Sequence, residues 1–451
     1  LDYWSAAEAS LSASQGASFL KAGTNHNSKG IIAIQELLEV VNNYMTIGAT
    51  EDALTLLNSA ISLGEPYASN PLLYYYKAYN LLKSKNSIEF QTCLDKARSL
   101  SPLNNYPFRI EEIALFKTLL QKRPDDALLH YHLGNLLYFL GQKESGLEHW
   151  LHATETDPSF AIAARNVGFG YGCLNDLEKS IKYYDRAINA NPNDPLLLTE
   201  SDKIYEQANI PTDQRLKRLE SHLKTVMKHD DAVMRLLTLY NAESKYDKSI
   251  KILNTRHFHL WEGGGQVHDI YADSHILKGM QFLKRKQYKE AIREFDLANQ
   301  YPSNLEVAPS PNGGYEAKIY YLSGIAYEAM KQTDKAKICF EKSADTHFRS
   351  HLTDLNYYKI KSLRKLNRNG EADVALSNMQ KTLERILRNP TDSYAKFGEA
   401  NQNVQQSNIS YYSGLIHLLQ NNPSAAKNDF TQALQLYPGN IWAQLMNKDI
   451  H

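Results

Sequence analysis

Residues 127–192 decide the fold, and they read ALLHYHLGNLLYFLGQKESGLEHWLHATETDP followed by SFAIAARNVGFGYGCLNDLEKSIKYYDRAINANP. When these two segments are aligned, small, aromatic and proline residues recur at the same offsets. The prolines that end them, Pro158 and Pro192, lie 34 residues apart. A fixed period of this length predicts helical hairpins that bury their apolar faces by stacking against their neighbours.

The recurring positions also predict how each hairpin packs. A small residue such as Gly134 lets the first helix approach the second, and an aromatic residue such as Trp150 then fills the space between them. Proline ends the second helix, because it cannot continue the backbone hydrogen bonds. We expect this packing role at Gly134, Trp150, Ala153, Gly168, Tyr184, Ala187, Gly324, Phe340, Gly414 and Phe430.

The length and residue pattern of this period resemble the tetratricopeptide repeat. The resemblance implies an all-α fold, a right-handed α-solenoid of roughly eight to ten helical hairpins. No run of alternating apolar and polar residues predicts strands. We expect four segments: residues 1–30, which match the repeat poorly, a first array at 31–255, an insertion loop at 256–270 and a second array at 271–451.

Composition and charge narrow the range of partners. The chain has 451 residues, with 50 Lys and Arg against 50 Asp and Glu, so its formal charge is zero. This balance argues against nucleic acid or an anionic membrane surface as the main partner. No apolar run approaches the ~20 residues that a membrane-spanning helix needs. The three cysteines are far apart and predict neither a disulfide framework nor a zinc site: Cys93, Cys173 and Cys339.

The first residue, Leu1, is not methionine, which favours a processed protein or a fragment. The chain shows no signal-peptide pattern, and together with the lack of a disulfide framework this favours a cytoplasmic location.

Three insertions interrupt the period, at residues 256–266, 304–316 and 391–406. Each falls between the second helix of one unit and the first helix of the next. Equivalent connections lie along one edge of a stacked array, and insertions there often mark its working side. We therefore expect the three loops to cluster and to form one surface.

The first insertion contains the string FHLWEGG at residues 258–264. It resembles the F-H-x-W-E-G-G signature in the helical C-terminal part of a large bacterial family of uncharacterised function. Members of that family carry tetratricopeptide repeats after an N-terminal β-sandwich domain similar to galactose mutarotase folds. The strings RIEEI at 109–113, LGNLLY at 133–138 and YPSNL at 301–305 agree in order, so the resemblance covers about residues 70 to 345. The chain departs from the signature at Leu260, where proline is usual, and at Gly265 and Gln266, where glutamate and glycine are usual.

Two interpretations of this loop stay open. In the functional one, Trp261 stacks on a sugar ring or a partner, Glu262 accepts hydrogen bonds, and the glycines allow close backbone approach. In the structural one, a glycine-dependent turn places Trp261 between adjacent units. The residues of this candidate interaction loop are His257, His259, Trp261, Glu262, Gly263 and Gly264.

Two groups of histidines also need an interpretation. A metal site requires three or four converging ligands, and no cysteine accompanies His257, His259, His268 and His275. Packed or solvated histidines are the more frequent outcome, and the same holds for His130, His132, His149 and His152. We predict no metal ligand, no cofactor site and no catalytic residue, since nucleotide-loop, nucleophile-elbow and zinc-protease motifs are missing from the sequence.

These observations predict a non-catalytic scaffold for protein interaction. Its partner would be a protein or peptide, or a β-sandwich domain of the same polypeptide, as the family resemblance implies. The alternative is the helical half of a carbohydrate-binding or carbohydrate-processing protein, whose loop contacts sugar. Glycoside hydrolysis would need a second carboxylate at a suitable distance from Glu262, and the sequence does not identify one.

Overall fold

A computed structural model of the chain describes residues 27–83, 87–259, 266–309, 314–348, 352–388 and 402–450. Within these residues every regular element is a helix and no strand occurs. The predicted all-α stack of helical hairpins is therefore confirmed. The chain divides into two compact units, Leu1–Asn191 (unit 1) and Pro192–His451 (unit 2). The four predicted segments stay a prediction, as does the handedness.

In its described residues, unit 1 contains four hairpins and one helix without a hairpin partner. The pairs are α1 with α2, α3 with α4, α6 with α7, and α8 with α9, and the single helix is α5. Their bounds are α1 Asn27–Thr46, α2 Thr50–Ser62, α3 Pro71–Lys83, α4 Ser87–Arg98, α5 Glu111–Lys122, α6 Ala127–Phe139, α7 Lys143–Thr156, α8 Ala161–Cys173 and α9 Leu177–Ala190.

Unit 2 begins with an irregular group, continues with hairpins and ends with a short helix. The irregular group is α10 Pro195–Gln207, α11 Thr212–Ser221 and α12 Leu223–Val226. The hairpins are α13 Asp230–Ala242 with α14 Tyr246–Thr255, α15 Gln266–Lys284 with α16 Tyr288–Ala298, α17 Glu316–Ala329 with α18 Thr333–Ala344, α19 Asp354–Lys365 with α20 Asn369–Arg388, and α21 Gln402–Leu419 with α22 Pro423–Leu436. The last helix is α23 Ile441–Asp449. No helix in the described part of either unit is both long enough and apolar enough to cross a bilayer.

Glycines sit directly against aromatic rings inside the hairpins. A Cβ atom on Gly134 would lie 2.5 Å from Cδ1 of Trp150, and one on Gly168 would lie 2.8 Å from Cδ2 of Tyr184. In unit 2, a Cβ atom on Gly324 would lie 2.5 Å from Cε1 of Phe340, and one on Gly414 would lie 2.5 Å from Cε1 of Phe430. Ala153 and Ala187 are fully buried. A side chain larger than hydrogen at these glycines would overlap the ring of the facing helix.

The turns inside the hairpins share one backbone feature that the sequence pattern did not predict. The second residue after the first helix often adopts a left-handed conformation, as at Gly141 (φ 84°), Asn175 (φ 58°) and Lys331 (φ 59°). At Asn175 the backbone closes the Schellman arrangement, because the N–H of Asp176 donates to the carbonyl of Tyr171 at 3.0 Å. Since glycine, asparagine and lysine all occupy the position, residue type alone does not mark it.

Helices α10 and α11 pack through buried ion pairs rather than through the small and aromatic residues of the repeat. Arg215 and Asp202 are almost fully buried and pair at 2.8 Å. Arg235 of α13 also contacts Asp202, at 2.6 Å, and pairs with Glu206 at 3.0 Å. Each buried charge thus has at least one partner of opposite sign, which buried ions require. This network accounts for a segment that keeps helical periodicity but lacks the repeat signature.

Candidate functional site

The segment that follows α14 places two histidines side by side. The ring of Phe258 is fully buried, and its backbone N–H donates to the carbonyl of Asn304 at 2.9 Å. His257 and His259 flank it, and both are exposed. Because side chains alternate along extended backbone, the two histidines emerge together, with ring centroids 4.8 Å apart.

Polar side chains fix the base of this loop to the helices around it. The Asn304 amide donates to the carbonyls of Leu253 and Arg256, at 2.8 and 2.7 Å. The Asp230 carboxylate accepts from the backbone N–H of His259 at 2.9 Å and from Nε of Arg256 at 2.7 Å. Asn304 lies in the second insertion, so the first and second insertions contact each other. The third insertion falls largely outside the described residues.

A carboxylate that the sequence analysis missed completes the group. Glu306 Oε1 lies 2.7 Å from Nε2 of His257. One potential ligand atom from each of His257, His259 and Glu306 lies within 4.8 Å of the others. The two partners are 49 residues apart, so spacing along the chain gave no signal. The remaining members of the predicted interaction loop lie outside the described residues: Trp261, Glu262, Gly263 and Gly264.

Two other histidines of the predicted group are packed inside unit 2. His268 stacks on Tyr301 with ring centroids 3.8 Å apart, and its Nε2 contacts the carbonyl of Gln300 at 3.0 Å. His275 is buried and pairs with Glu294 at 2.6 Å. Both therefore make structural contacts and lie apart from the donors of the loop.

Three histidines of the second predicted group, His130, His132 and His149, are packed within a hairpin of unit 1, whereas His152 is exposed. Nδ1 of His130 lies 2.8 Å from Nδ1 of His149. Burial, together with the neighbouring His130, lowers the pKa of His149 to about 4. His132 is fully buried, and burial alone lowers its pKa to about 3. These rings are neutral near pH 7, which suits packing.

A second candidate site is the surface of unit 2 that receives α23. Ile441, Trp442 and Leu445 pack against three side chains of other repeats, namely Tyr246 and Ile250 of α14 and Leu277 of α15. Of the residues in α23, only Ala443 is buried, and the others keep some exposure. Helix α23 is thus seated on the surface rather than enclosed by the core.

Charged groups surround the ring of Trp442. Nζ of Lys318, on α17, lies 3.4 Å from the ring centroid, and the Lys318 side chain is 1% exposed. The same ammonium group pairs with Asp354 of α19 at 2.5 Å. The Trp442 side chain also interacts with the carboxyl group of Asp273 on α15, where it opposes the rise in pKa that burial causes. We call Tyr246, Ile250, Asp273, Leu277 and Lys318 the α23 seat.

Several polar atoms around the seat lack a hydrogen-bond partner among the described residues. They are Oδ1 of Asp273 and the hydroxyl oxygens of Tyr358 and Tyr411, and all are inaccessible to solvent. Burial raises the pKa of Asp273 to about 7, although Lys318 opposes the shift. Buried polar atoms without partners are unfavourable in a folded protein. The seat therefore offers hydrogen-bonding capacity that α23 leaves unused.

The segment around α23 is also tied down at both ends. The Asn440 side chain caps α23 by accepting from the N–H of Ala443 at 3.0 Å. Just before it, the hydroxyl of Tyr437 donates to Glu206 at 2.8 Å. At the far end, Asp449 pairs with Lys284 at 2.6 Å. These contacts hold α23 along the surface formed by several repeats of unit 2.

Solved structures similar to the chain include several repeat proteins. A thermophilic tetratricopeptide protein of Thermus thermophilus is 18% identical, covering 46% of this chain and 97% of that chain, with a TM-score of 0.26. MamA from Desulfovibrio magneticus RS-1 is 17% identical, covering 43% and 93%, with a TM-score of 0.24. The tetratricopeptide domain of P58(IPK) is 12% identical, covering 92% and 97%, with a TM-score of 0.22. Since none of these TM-scores reaches 0.5, the superpositions say nothing about function.

Two segments of the chain match a known family of repeats. The family model described as tetratricopeptide repeat matches residues 171–194 and 317–345. The first match runs from the end of α8 through α9, and the second covers α17 and α18. Both matched segments contain glycine or aromatic residues for which the 34-residue period predicts a packing role. The chain therefore carries tetratricopeptide repeats.

Proposed function

We propose that the chain is a protein-interaction scaffold, and that the α23 seat binds a tryptophan-bearing helix of a partner in place of α23. The observation that carries this proposal is the seating of Trp442. Its ring centroid lies 3.4 Å from a buried ammonium group, and its side chain interacts with the carboxyl group of Asp273. Tryptophan meets both requirements at once, because it combines the strongest cation–π face with an N–H donor.

The way in which α23 binds supports exchange with a partner helix. Apart from Ala443, its residues keep some exposure, so most of α23 lies at the surface of unit 2. An amphipathic helix laid on an apolar surface is a frequent mode of peptide recognition, and a few aromatic anchors supply most of the affinity. Oδ1 of Asp273, which lacks a hydrogen-bond partner among the described residues, would add specificity by accepting a hydrogen bond from a partner helix.

A peptide supplied in trans tests the proposal. A chain that ends at Leu436 is mixed with a labelled peptide of residues 437–450, and binding is followed by fluorescence anisotropy. We expect saturable binding with one peptide per chain. The full-length chain should bind the peptide far more weakly, because its own α23 is present at an effective concentration on the order of millimolar.

Matched peptides decide which contact matters. Trp442→Ala should weaken binding by at least about tenfold, as expected for loss of an aromatic anchor. Lys448 is exposed, so Lys448→Ala should bind like the natural peptide. The proposal fails if all three peptides bind alike, or if none binds while circular dichroism shows that the shortened chain keeps its helices.

A β-sandwich domain of the same polypeptide, which the family resemblance implies, is the first partner to test. It would be expressed separately and added to the shortened chain. Competition by the natural peptide, and not by the Trp442→Ala peptide, would place that domain on the seat. The carbohydrate alternative rests on Trp261 and Glu262, which lie outside the described residues, so no geometry favours it.

A further inference from the structure

Three metal-ligating side chains meet on the loops that follow α14 and α16. The ligand atoms of His257, His259 and Glu306 all lie within 4.8 Å of one another. Among the residues that the structure describes, no other group of three or more His, Cys, Asp or Glu donors converges in this way. We propose that these three side chains, here called the His–His–Glu site, bind a zinc ion.

The donor set suits zinc. Imidazole nitrogen and carboxylate oxygen are regular zinc ligands, and bonds of about 2.0–2.2 Å place neighbouring ligands of a tetrahedral ion roughly 3.3–3.5 Å apart. His257 and Glu306 already approach to 2.7 Å, so the ion would part them slightly and draw His259 inward by roughly 1 Å. The side chains of His257 and Glu306 are 52% and 40% exposed, so rotation about their side-chain bonds can supply these movements.

The backbone around the donors is fixed before any ion binds. The buried Phe258 anchors the segment that carries the two histidines, and the Asn304 amide ties that segment to the loop that carries Glu306. The Asp230 carboxylate holds the N–H of His259 and neutralises Arg256, the cation next to the loop. Binding would therefore order only three side chains, and the charge of Arg256 is already compensated before the ion arrives.

The backbone before Glu306 sets the direction of its carboxylate. Glu306 follows a 3₁₀ turn at Ser303–Leu305 and has a φ of 53°, in the left-handed region that Asn175 and Lys331 also adopt. Leu305 is fully buried and holds the turn in place. The turn thus places the Glu306 carboxylate against His257.

Three protein ligands leave one tetrahedral position open. Water would occupy it in the isolated chain, and a side chain of a partner could replace the water. This inference goes beyond the proposed function and shares no residue with the α23 seat. The success or failure of one proposal therefore leaves the other unaffected.

Zinc titration of the full chain tests the site, after treatment with a chelator and without an affinity tag. Isothermal titration calorimetry with zinc chloride should show tight binding that includes one equivalent at this site. His259→Asn and Glu306→Gln should each remove that equivalent or weaken it by at least about tenfold. His259→Asn is the sharper variant, because it leaves the contact between His257 and Glu306 intact.

His417 supplies a matched control. It pairs with Asp429 at 2.7 Å, the same distance as between His257 and Glu306, but no third donor among the described residues joins it. His417→Asn should therefore bind zinc like the natural chain. Cobalt(II) in place of zinc should give the intense visible absorption of a tetrahedral ion, and His259→Asn should abolish it.

Two outcomes would overturn the inference. One is a natural chain that binds no stoichiometric zinc. The other is zinc binding that His259→Asn and Glu306→Gln leave unchanged, since other histidines would then hold the ion. Thermal unfolding by circular dichroism checks that the variants fold. All three substituted residues are at least partly exposed, so we expect unchanged unfolding without metal.

Discussion

Substitution of Gly134 by alanine tests the packing rule on which the fold depends. The new Cβ would lie 2.5 Å from Cδ1 of Trp150 and 2.9 Å from the carbonyl oxygen of Gly146. Non-bonded carbon atoms normally stay about 3.5–4.0 Å apart, so about 1 Å of movement is needed. The indole is poorly placed to move, because it donates to Asn135 at 2.9 Å and stacks on Tyr138 at 4.7 Å.

Two unfavourable contributions and one favourable contribution determine the expected loss of stability. Overpacking of a tight contact costs about 1–3 kcal/mol. Displacement of the indole would weaken its hydrogen bond, worth about 1 kcal/mol. Alanine in a helix is favoured over glycine by about 1 kcal/mol, which offsets part of this. We therefore expect Gly134→Ala to lower the free energy of unfolding by about 1–3 kcal/mol.

Urea denaturation followed by far-ultraviolet circular dichroism measures this change. Gly370 is the control, because it is also helical and no atom of the described residues lies within 4 Å of the position of its Cβ. Gly370→Ala should be neutral or stabilising by up to about 1 kcal/mol. The reasoning is refuted if Gly134→Ala is as stable as the natural chain. It is also refuted if the whole loss persists in a Trp150→Leu background, where of the two contacts only the 2.9 Å one with the Gly146 carbonyl oxygen remains.

Three further substitutions test other parts of the structure. Burial keeps the ring of His132 neutral in the folded chain, so the unfolded chain binds more protons below pH 6.5. The free energy of unfolding should therefore fall by about 1.4 kcal/mol per pH unit between pH 6.5 and about 3. His132→Phe should remove this fall, as measured by denaturation across pH. Arg215→Met should cost about 3 kcal/mol in urea denaturation, because it leaves the buried Asp202 with one arginine partner instead of two. Trp442→Ala should lower the hydrogen-exchange protection of the α23 amides, because Trp442 packs against α14 and α15. Lys448→Ala should not lower it. Equal protection in the two variants would contradict the observed packing of α23.

The hairpin packing was predictable because its contacts are local. Gly134 and Trp150 are 16 residues apart, as are Gly168 and Tyr184. Two positions of one hairpin must face each other once both helices form, so residue type and spacing suffice. The hairpin turns were less predictable, because a left-handed residue such as Lys331 pays a small penalty that the surrounding contacts offset.

The candidate sites could not be predicted because their contacts join residues that are far apart in the sequence. His257 and Glu306 are 49 residues apart, and they meet only because the loops of successive hairpins come side by side. Lys318 and Trp442 are separated by 124 residues, and their contact depends on where α23 lies across several repeats. A periodic sequence specifies nearest-neighbour packing. It does not specify how loops or a terminal helix meet more distant repeats.

The α23 seat is also difficult to explain as a device for stability. Burial of Lys318 beside Asp354 gains little over apolar side chains of similar volume, because desolvation offsets the attraction. The unpaired oxygen of Asp273 adds a further cost. Elsewhere in the chain the hairpins are packed by glycine and aromatic residues, as at Gly324 and Phe340. The charged groups therefore stand where packing does not require them, and recognition of a ring with an N–H donor gives them a purpose.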